Sequence, residues 1–252
     1  MIKVENKMNY VHLFEEYEHS KPVIYSALEG QYDCDLYVND EYKPEFAILF
    51  TQFDFHFVTG NKETNSLVSD LRDIIFRKHL KLNNLKEAIL VTPDDKWQGV
   101  LKEVFKGYSD IIDRRCVYKL NQDKFKVIYD NTDFNCGLNF SINHESEFNS
   151  KIPYLTSRLK DNNKTISYCS GFMLGAGHAE IDVKTDDLYR QKGYGKLASL
   201  LLIKELLDHK IEPDWCCWES KDASKKLAHS IGFEKVNELI VYIWVEEVNG
   251  KL

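Results

Sequence analysis

AEIDVKTDDLYRQKGYGKLASLLLIKELLDHK, residues 179–210, decides how this chain is read. Alternation over Ala179–Thr185 marks a strand that places Glu180, Asp182 and Lys184 on one face. A charged turn follows, then Arg190-Gln191-Lys192-Gly193-Tyr194-Gly195, then a long apolar helix from Tyr194 to His209. Gly193 and Gly195 carry no Cβ, so the backbone can turn its N–H groups inward and approach an anion closely. The helix they open offers unpaired amides and the positive end of its dipole, which suits a pyrophosphate. Arg190, Lys192 and Lys196 add side-chain charge at the same place. Leu197–Ile203 is apolar nearly all round, as expected of a helix packed between a sheet and another layer.

Around this stretch the second half reads as strand Leu138–Ile142, short helix His144–Lys151, and strand Tyr154–Lys160. A hairpin turn at Asp161-Asn162-Asn163-Lys164 leads to strand Thr165–Leu174. After the long helix come strand Trp215–Trp218, helix Asp222–Ser230 and strand Val236–Val245. In the first half, helical spacing covers Met8–Tyr17 and Pro22–Leu28, and a cap at Thr64 or Asn65 opens a helix to about His79. Trp97–Phe105 is a further helix, closed near Gly107. Strand signals cover Asp35–Val38, Phe46–Val58, Glu87–Val91, Ile111–Leu120 and Lys124–Tyr129. The aromatic run from Phe50 to Phe57 is expected to be core. Asp130-Asn131-Thr132-Asp133 is the best boundary, giving an N-terminal α/β domain over 1–130 and a second domain over 134–252. The first half repeats the order of elements loosely, which leaves open an ancient duplication with one degenerate copy.

Composition narrows the function classes. The chain has 252 residues, 43% hydrophobic and 29% charged, ordinary for a globular protein. Its 33 basic and 40 acidic residues give a net charge of −7, against a nucleic-acid surface as the main purpose. MIKVENKMNY at the start has no apolar core of signal-peptide length, and Leu197–Ile203 is far short of a membrane span. A cytoplasmic protein without membrane partner is therefore expected. The six cysteines form no C-x-x-C pair and have no histidine at ligand spacing, so no metal is expected and the thiols are read as reduced. Cys216 and Cys217 point to opposite faces of a strand and read as packing residues.

Two anchors carry a family resemblance. Arg190-Gln191-Lys192-Gly193-Tyr194-Gly195 matches the Q/R-x-x-G-x-G/A pattern of the Gcn5-related N-acetyltransferases, and Ser224–Phe233 resembles that family's closing helix with its Ile-Gly-Phe corner. The resemblance covers about 134–252. More narrowly, E-I-x-V-x-T from Glu180, Y-R-x-K-G-x-G, E-P-x-W at Glu212 and the final Gly232-Phe233 look like the subgroup containing zwittermicin-resistance acetyltransferases. It implies a mixed, mostly antiparallel sheet flanked by helices that binds acetyl-CoA as acyl donor. It also implies direct acetyl transfer to the primary amine of a small molecule, and a homodimer on family grounds alone. By position, the backbone of Val183, Lys184 and Thr185 would meet the pantetheine arm, and the amides from Gln191 to Lys196, including Tyr194, the pyrophosphate, with Arg190 bracing the turn. A base must deprotonate the substrate ammonium, because only the neutral amine attacks the thioester. Glu180 is the candidate, Asp182 the reserve or the ammonium-binding carboxylate; a solvated strand glutamate is the plain alternative.

Two positions depart from the family pattern. Lys221 stands where many members carry a cofactor-binding asparagine, and Leu227 where many carry a tyrosine acid. Lys225 and Lys226 read as a solvated helix face more than as ligands of the cofactor's 3′-phosphate. Two other functions stay open: a non-catalytic CoA-binding or protein-interaction module, and a protein or peptide N-acetyltransferase. The acidic residues of 29–54 fit cationic substrates as well as plain solvation, and the first half is expected to wall one side of the acceptor cleft.

Overall fold

The computed structural model describes every residue except 147 and 148. The chain runs through β1 (Ile2–Val4), a 3-10 segment (Lys7–Phe14), α1 (Lys21–Leu28), β2 (Cys34–Val38), β3 (Phe46–Thr51) and β4 (Phe55–Gly60). Next come α2 (Leu67–Arg72), a π-helical stretch (Asp73–His79), α3 (Leu80–Leu82), β5 (Glu87–Val91), α4 (Gln98–Phe105) and β6 (Ile111–Leu120). It continues with α5 (Gln122–Asp130), β7 (Asn139–Glu145), β8 (Tyr154–Asp161), β9 (Lys164–Gly175) and β10 (His178–Thr185). The last elements are α6 (Tyr194–Asp208), β11 (Glu212–Trp218), α7 (Asp222–Ser230), β12 (Phe233–Val245) and α8 (Glu246–Asn249).

Packing divides the chain into two α/β units. The first is Met1–His19, Ala27–Arg115 and Glu238–Leu252; the second is Ser20–Ser26 and Cys116–Asn237. The expected break at 130–134 is therefore not where the units change. They change inside β6, at Arg115/Cys116, and inside β12, at Asn237/Glu238. Turn-rich composition marks where a chain bends, whereas the pairing of a long strand is decided by residues far away in sequence.

In the first unit β1 to β4 pair antiparallel in chain order, and β4 pairs parallel with β5 through the α2–α3 crossover. The end of β12 then pairs antiparallel with β5, Tyr242 opposite Leu90. Phe46, Ile48, Phe50, Leu71, Ile75, Trp97, Phe105 and Trp244 form its core. Phe46–Val58 is not one strand but a hairpin. Thr51 Oγ1 donates to the carbonyls of Phe53 and Phe55, at 3.0 and 2.8 Å, and closes the turn.

The second unit has the strand order β6–β11–β10–β9–β8–β7. β10 and β11 are parallel, and β7 to β10 are antiparallel in sequence order. Asn162 and Asn163, at φ +48° and +80°, make the two-residue turn the sequence predicts between β8 and β9. α6 buries Ala198, Leu200, Leu202, Ile203 and Leu206 against this sheet, with Tyr118, Phe125, Trp215 and Phe233 in the same core. Lys124–Tyr129, expected as a strand, is helical in α5. Asn121 Oδ1 accepts from the Lys124 amide at 3.1 Å, a side-chain N-cap, and Phe125 turns into the core. The helix expected over His144–Lys151 meets β7, which includes His144 and Glu145; its centre lies outside the described residues.

Candidate active site

The site grows from a fork between two parallel strands. β10 and β11 share the rungs His178↔Glu212, Ala179↔Pro213 and Glu180↔Asp214, and among the described residues no rung follows. Yet β10 runs on to Thr185 and β11 to Trp218. At the same level, on the other edge of β10, the register with β9 slips between Ala179 and Ile181. Phe172 and Met173 together face Glu180 there, with Met173 at φ +51°. The extra residue lies on β9, which bulges there, and β10 keeps its pairing with β9 through Thr185↔Ser167 while it leaves β11. Beyond the fork, Asp186 N–H donates to Ile166 O on β9 at 2.9 Å and Ser167 Oγ donates to Lys184 O at 3.2 Å. Strand alternation then turns the peptide groups of Ile181, Val183 and Thr185 into the fork and those of Lys184 away from it. Of Val183, Lys184 and Thr185, the first and the last thus turn their peptide groups toward the fork, and Lys184 turns its own toward β9.

At the mouth of the fork lies the glycine loop. Gln191 and Gly193 stand at φ +60° and +82°, and Gly193 is the N-cap of α6. The first hydrogen bond of the helix is Leu197 N–H to Gly193 O, 3.1 Å, which leaves the amides of Tyr194, Gly195 and Lys196 unmatched within it. Gly195 is needed for closeness: a Cβ there would stand 3.2 Å from Thr185 Oγ1 and 3.7 Å from Val183 and Leu227. Gly193 is needed for its left-handed backbone, since a Cβ there would meet open space. Arg190 Nε lies 3.4 Å from Thr185 O, and its guanidinium lies 2.7 Å from Asp187. Lys192 Nζ lies 5.2 Å above the Tyr189 ring and Lys164 Nζ 5.5 Å from it. Lys192 and Lys196 have no ion-pair partner among the described residues, which leaves their charge available to an anion. The uncapped amides, the missing Cβ of Gly195 and the open fork fit a phosphorylated, amide-bearing ligand.

The two faces of β10 differ in chemistry. Ala179, Ile181 and Val183 pack toward the α6 core. The opposite face carries His178, Glu180, Asp182 and Lys184, and alternation on β11 adds Asp214, Cys216 and Trp218. Glu180 is 9% exposed. Burial raises the pKa of Asp182, against which the Val183 N–H and Lys184 work. His178 Nδ1 lies 3.3 Å from Asp214. Asp214 carries no sequence signal beyond its place in Glu-Pro-Asp-Trp, because its pairing opposite Glu180 is not local. At the closed end of this face α1 seats on the β9–β10 turn, where a Cβ on Gly175 would come within 2.2 Å of Ser26 N.

The sequence model of GNAT acetyltransferases matches residues 11–151 and 157–242. The chain belongs to the GNAT acetyltransferase family. It is 24% identical over 243 residues to an uncharacterized N-acetyltransferase, YdfB, of Bacillus subtilis (strain 168), with 87% of this chain and 88% of that one covered. A GCN5-related N-acetyltransferase-like protein from Streptococcus suis superposes with a TM-score of 0.66 at 21% identity, covering 95% of this chain and 98% of that one. A tandem GNAT protein from the clavulanic acid biosynthesis pathway superposes with a TM-score of 0.69 at 10% identity, covering 97% of each. The fold is thus a mixed α/β GNAT arrangement with a central sheet flanked by helices, and a two-domain layout fits the tandem likeness. The protein is an acetyltransferase, and acetyl-CoA is the family's acetyl donor.

All candidate residues of this GNAT site lie in the second unit. Lys221 is exposed at the N-cap of α7, and Leu227 packs beside Gly195. Lys225 is held by Glu219 and Asp222, at 3.1 and 3.0 Å, which raises its pKa. Trp215 and Cys217 are core residues. Among the described residues no group of His, Cys, Asp and Glu is placed to hold a metal, and no helix is long and apolar enough to cross a membrane.

Proposed function

We propose that the second unit transfers an acetyl group from acetyl-CoA directly to the primary amine of a small cationic molecule. The observation that carries this reading is the fork at Glu180↔Asp214, with an uncapped helix N-terminus at its mouth and carboxylates on the face away from α6. Acetyl-CoA, when bound, supplies the thioester carbon. Val183 and Thr185 would hold its pantetheine amides by their backbone groups, and the loop from Arg190 to Lys196 its pyrophosphate, with Lys221 at the rim. Asp182 and Asp214 attract the substrate ammonium, and Glu180 takes its proton so that the neutral amine can attack. The fork-facing N–H groups of Ile181 and Val183 are the donors at hand for the developing oxyanion. Leu227 has no proton to give, so the departing thiolate takes one from solvent.

Thiol release from acetyl-CoA, followed with a panel of polyamine-like, aminoglycoside-like and peptide amines, tests this. Turnover confined to small cationic amines and lost in Glu180→Gln supports the reading. Turnover confined to peptides would replace the substrate class, and undiminished turnover in Glu180→Gln would remove the assigned base.

A further inference from the structure

The first unit repeats the layout of the second without its chemistry. β3 and β4 are antiparallel, β4 and β5 are parallel across a helical crossover, and their last shared rung is Phe57↔Val91. β4 then runs on through Val58, Thr59 and Gly60 while β5 ends, so the strands part as β10 and β11 do. Asp54 O accepts from Ile89 N–H at 2.8 Å, and alternation turns the carbonyl of Val58 toward the same side, into the fork.

This fork is filled by the chain itself. The hydroxyl of Tyr17 lies 2.7 Å from Val58 O and 3.0 Å from Val91 O, one carbonyl from each parting strand. Its ring packs edge-on against Phe57 and His19, and 1% of it is exposed. The segment is fastened on both sides of Tyr17: Thr59 Oγ1 donates to Leu13 O, and His19 Nε2 lies 3.2 Å from Pro93 O. Phe14, fully buried, stacks beside Tyr17. At the mouth the sequence after β4 is Asn61-Lys62-Glu63-Thr64-Asn65-Ser66, with no paired glycines to bring backbone amides around a phosphate.

We propose that the first unit keeps a fork of cofactor-binding layout that the chain's own residues 13–19 occupy, with the Tyr17 phenol standing where an amide of a pantetheine arm would donate. The chain therefore binds a single CoA, in the second unit, and the first unit is closed to it; this count rests on the reading of the second unit given above. The single phenol proton is shared between the two carbonyls, with Val58 O the nearer acceptor, and the Tyr17 and Phe14 rings lie buried beside them.

Native mass spectrometry of the full chain with CoA counts the occupied forks. The wild type is expected to carry one CoA and Gly195→Val none. Two CoA on the wild type, or one that survives Gly195→Val, would overturn the closed fork. A second arm compares Gly195→Val with Gly195→Val/Tyr17→Ala in pantetheine, which needs no phosphate loop. The double variant, folded by circular dichroism, is expected to take up one equivalent more, and a folded double variant with no gain would overturn the assignment of Tyr17. Tyr17→Phe, which keeps the ring, is expected to show no gain. Absence of CoA from the wild type would strike the reading of the second unit alone, and the pantetheine gain would still decide the plug.

Discussion

Glu180 of β10 and Asp214 of β11 are partners at the last rung the two strands share. Side chains of register partners project to the same face, so two carboxylates stand together where the sheet opens. Removing the charge of Glu180 should act on chemistry more than on folding. Glu180→Gln is expected to lower kcat by about a hundredfold or more, the range of a lost general base, with KM for acetyl-CoA unchanged. Steady-state kinetics checks this, and a Tm near that of the wild type excludes a folding defect.

Asp182 is predicted to set the acid limb of activity. Its pKa is raised by burial, so it gains a proton at higher pH than an ordinary carboxylate and then no longer attracts a cation. kcat/KM should fall as pH drops through that raised value, and Asp182→Asn should remove this part of the fall.

The two loop glycines should fail differently. Gly193→Ala places a side chain into open space but in left-handed backbone, a strain of about 1 kcal/mol. Gly195→Val pushes carbon into Thr185, whose Oγ1 would be 3.2 Å from the Cβ alone. KM for acetyl-CoA is expected to rise at least tenfold, ~1.4 kcal/mol, in the second variant and less in the first.

A buried histidine, His56, beside the half-buried His79 should make the first unit acid-sensitive. His56 is fully buried, and burial with the nearby His79 lowers its pKa to about 3, the backbone of Phe55 working against this. Burial lowers that of His79 to about 4. Both are neutral in the native state, so their contribution is whole above the unfolded value near 6.5 and is lost as pH falls toward 4 and 3. For His56 the loss is on the order of 2 kcal/mol by about pH 5. Urea midpoints should fall between pH 8 and pH 5, and His56→Phe should flatten the dependence.

Residues 134–252 alone should not fold. The core around α6 includes Cys116, Tyr118 and Phe125, which that fragment lacks. Expression of 134–252 is expected to give insoluble or unfolded protein, by circular dichroism. A soluble, cooperative fragment would contradict the packing described for the second unit.

The same contrast shows what was legible. The glycine loop, α6 and the Asn162-Asn163 hairpin are local signals, each a residue type that its backbone conformation requires, and they could be read directly. Lys124–Tyr129 alternates like a strand as Lys-Phe-Lys-Val-Ile-Tyr, yet it is helical, because the decisive signal, Asn121 as N-cap, lies outside the run. Asp214 opposite Glu180, the change of unit within β6 and β12, and Tyr17 in the first fork are pairings across long stretches of chain. No periodicity within a segment encodes them.

Thermal unfolding of the full chain with acetyl-CoA, wild type beside Gly195→Val, reads occupancy of the fork between β10 and β11. At a hundredfold excess over Kd, binding to the native state adds about 2.7 kcal/mol, a rise of roughly 5 °C or more for a chain of this size. That rise is expected for the wild type, and its loss in Gly195→Val. No rise in the wild type, or the same rise in both, would contradict a cofactor site at the fork of β10 and β11.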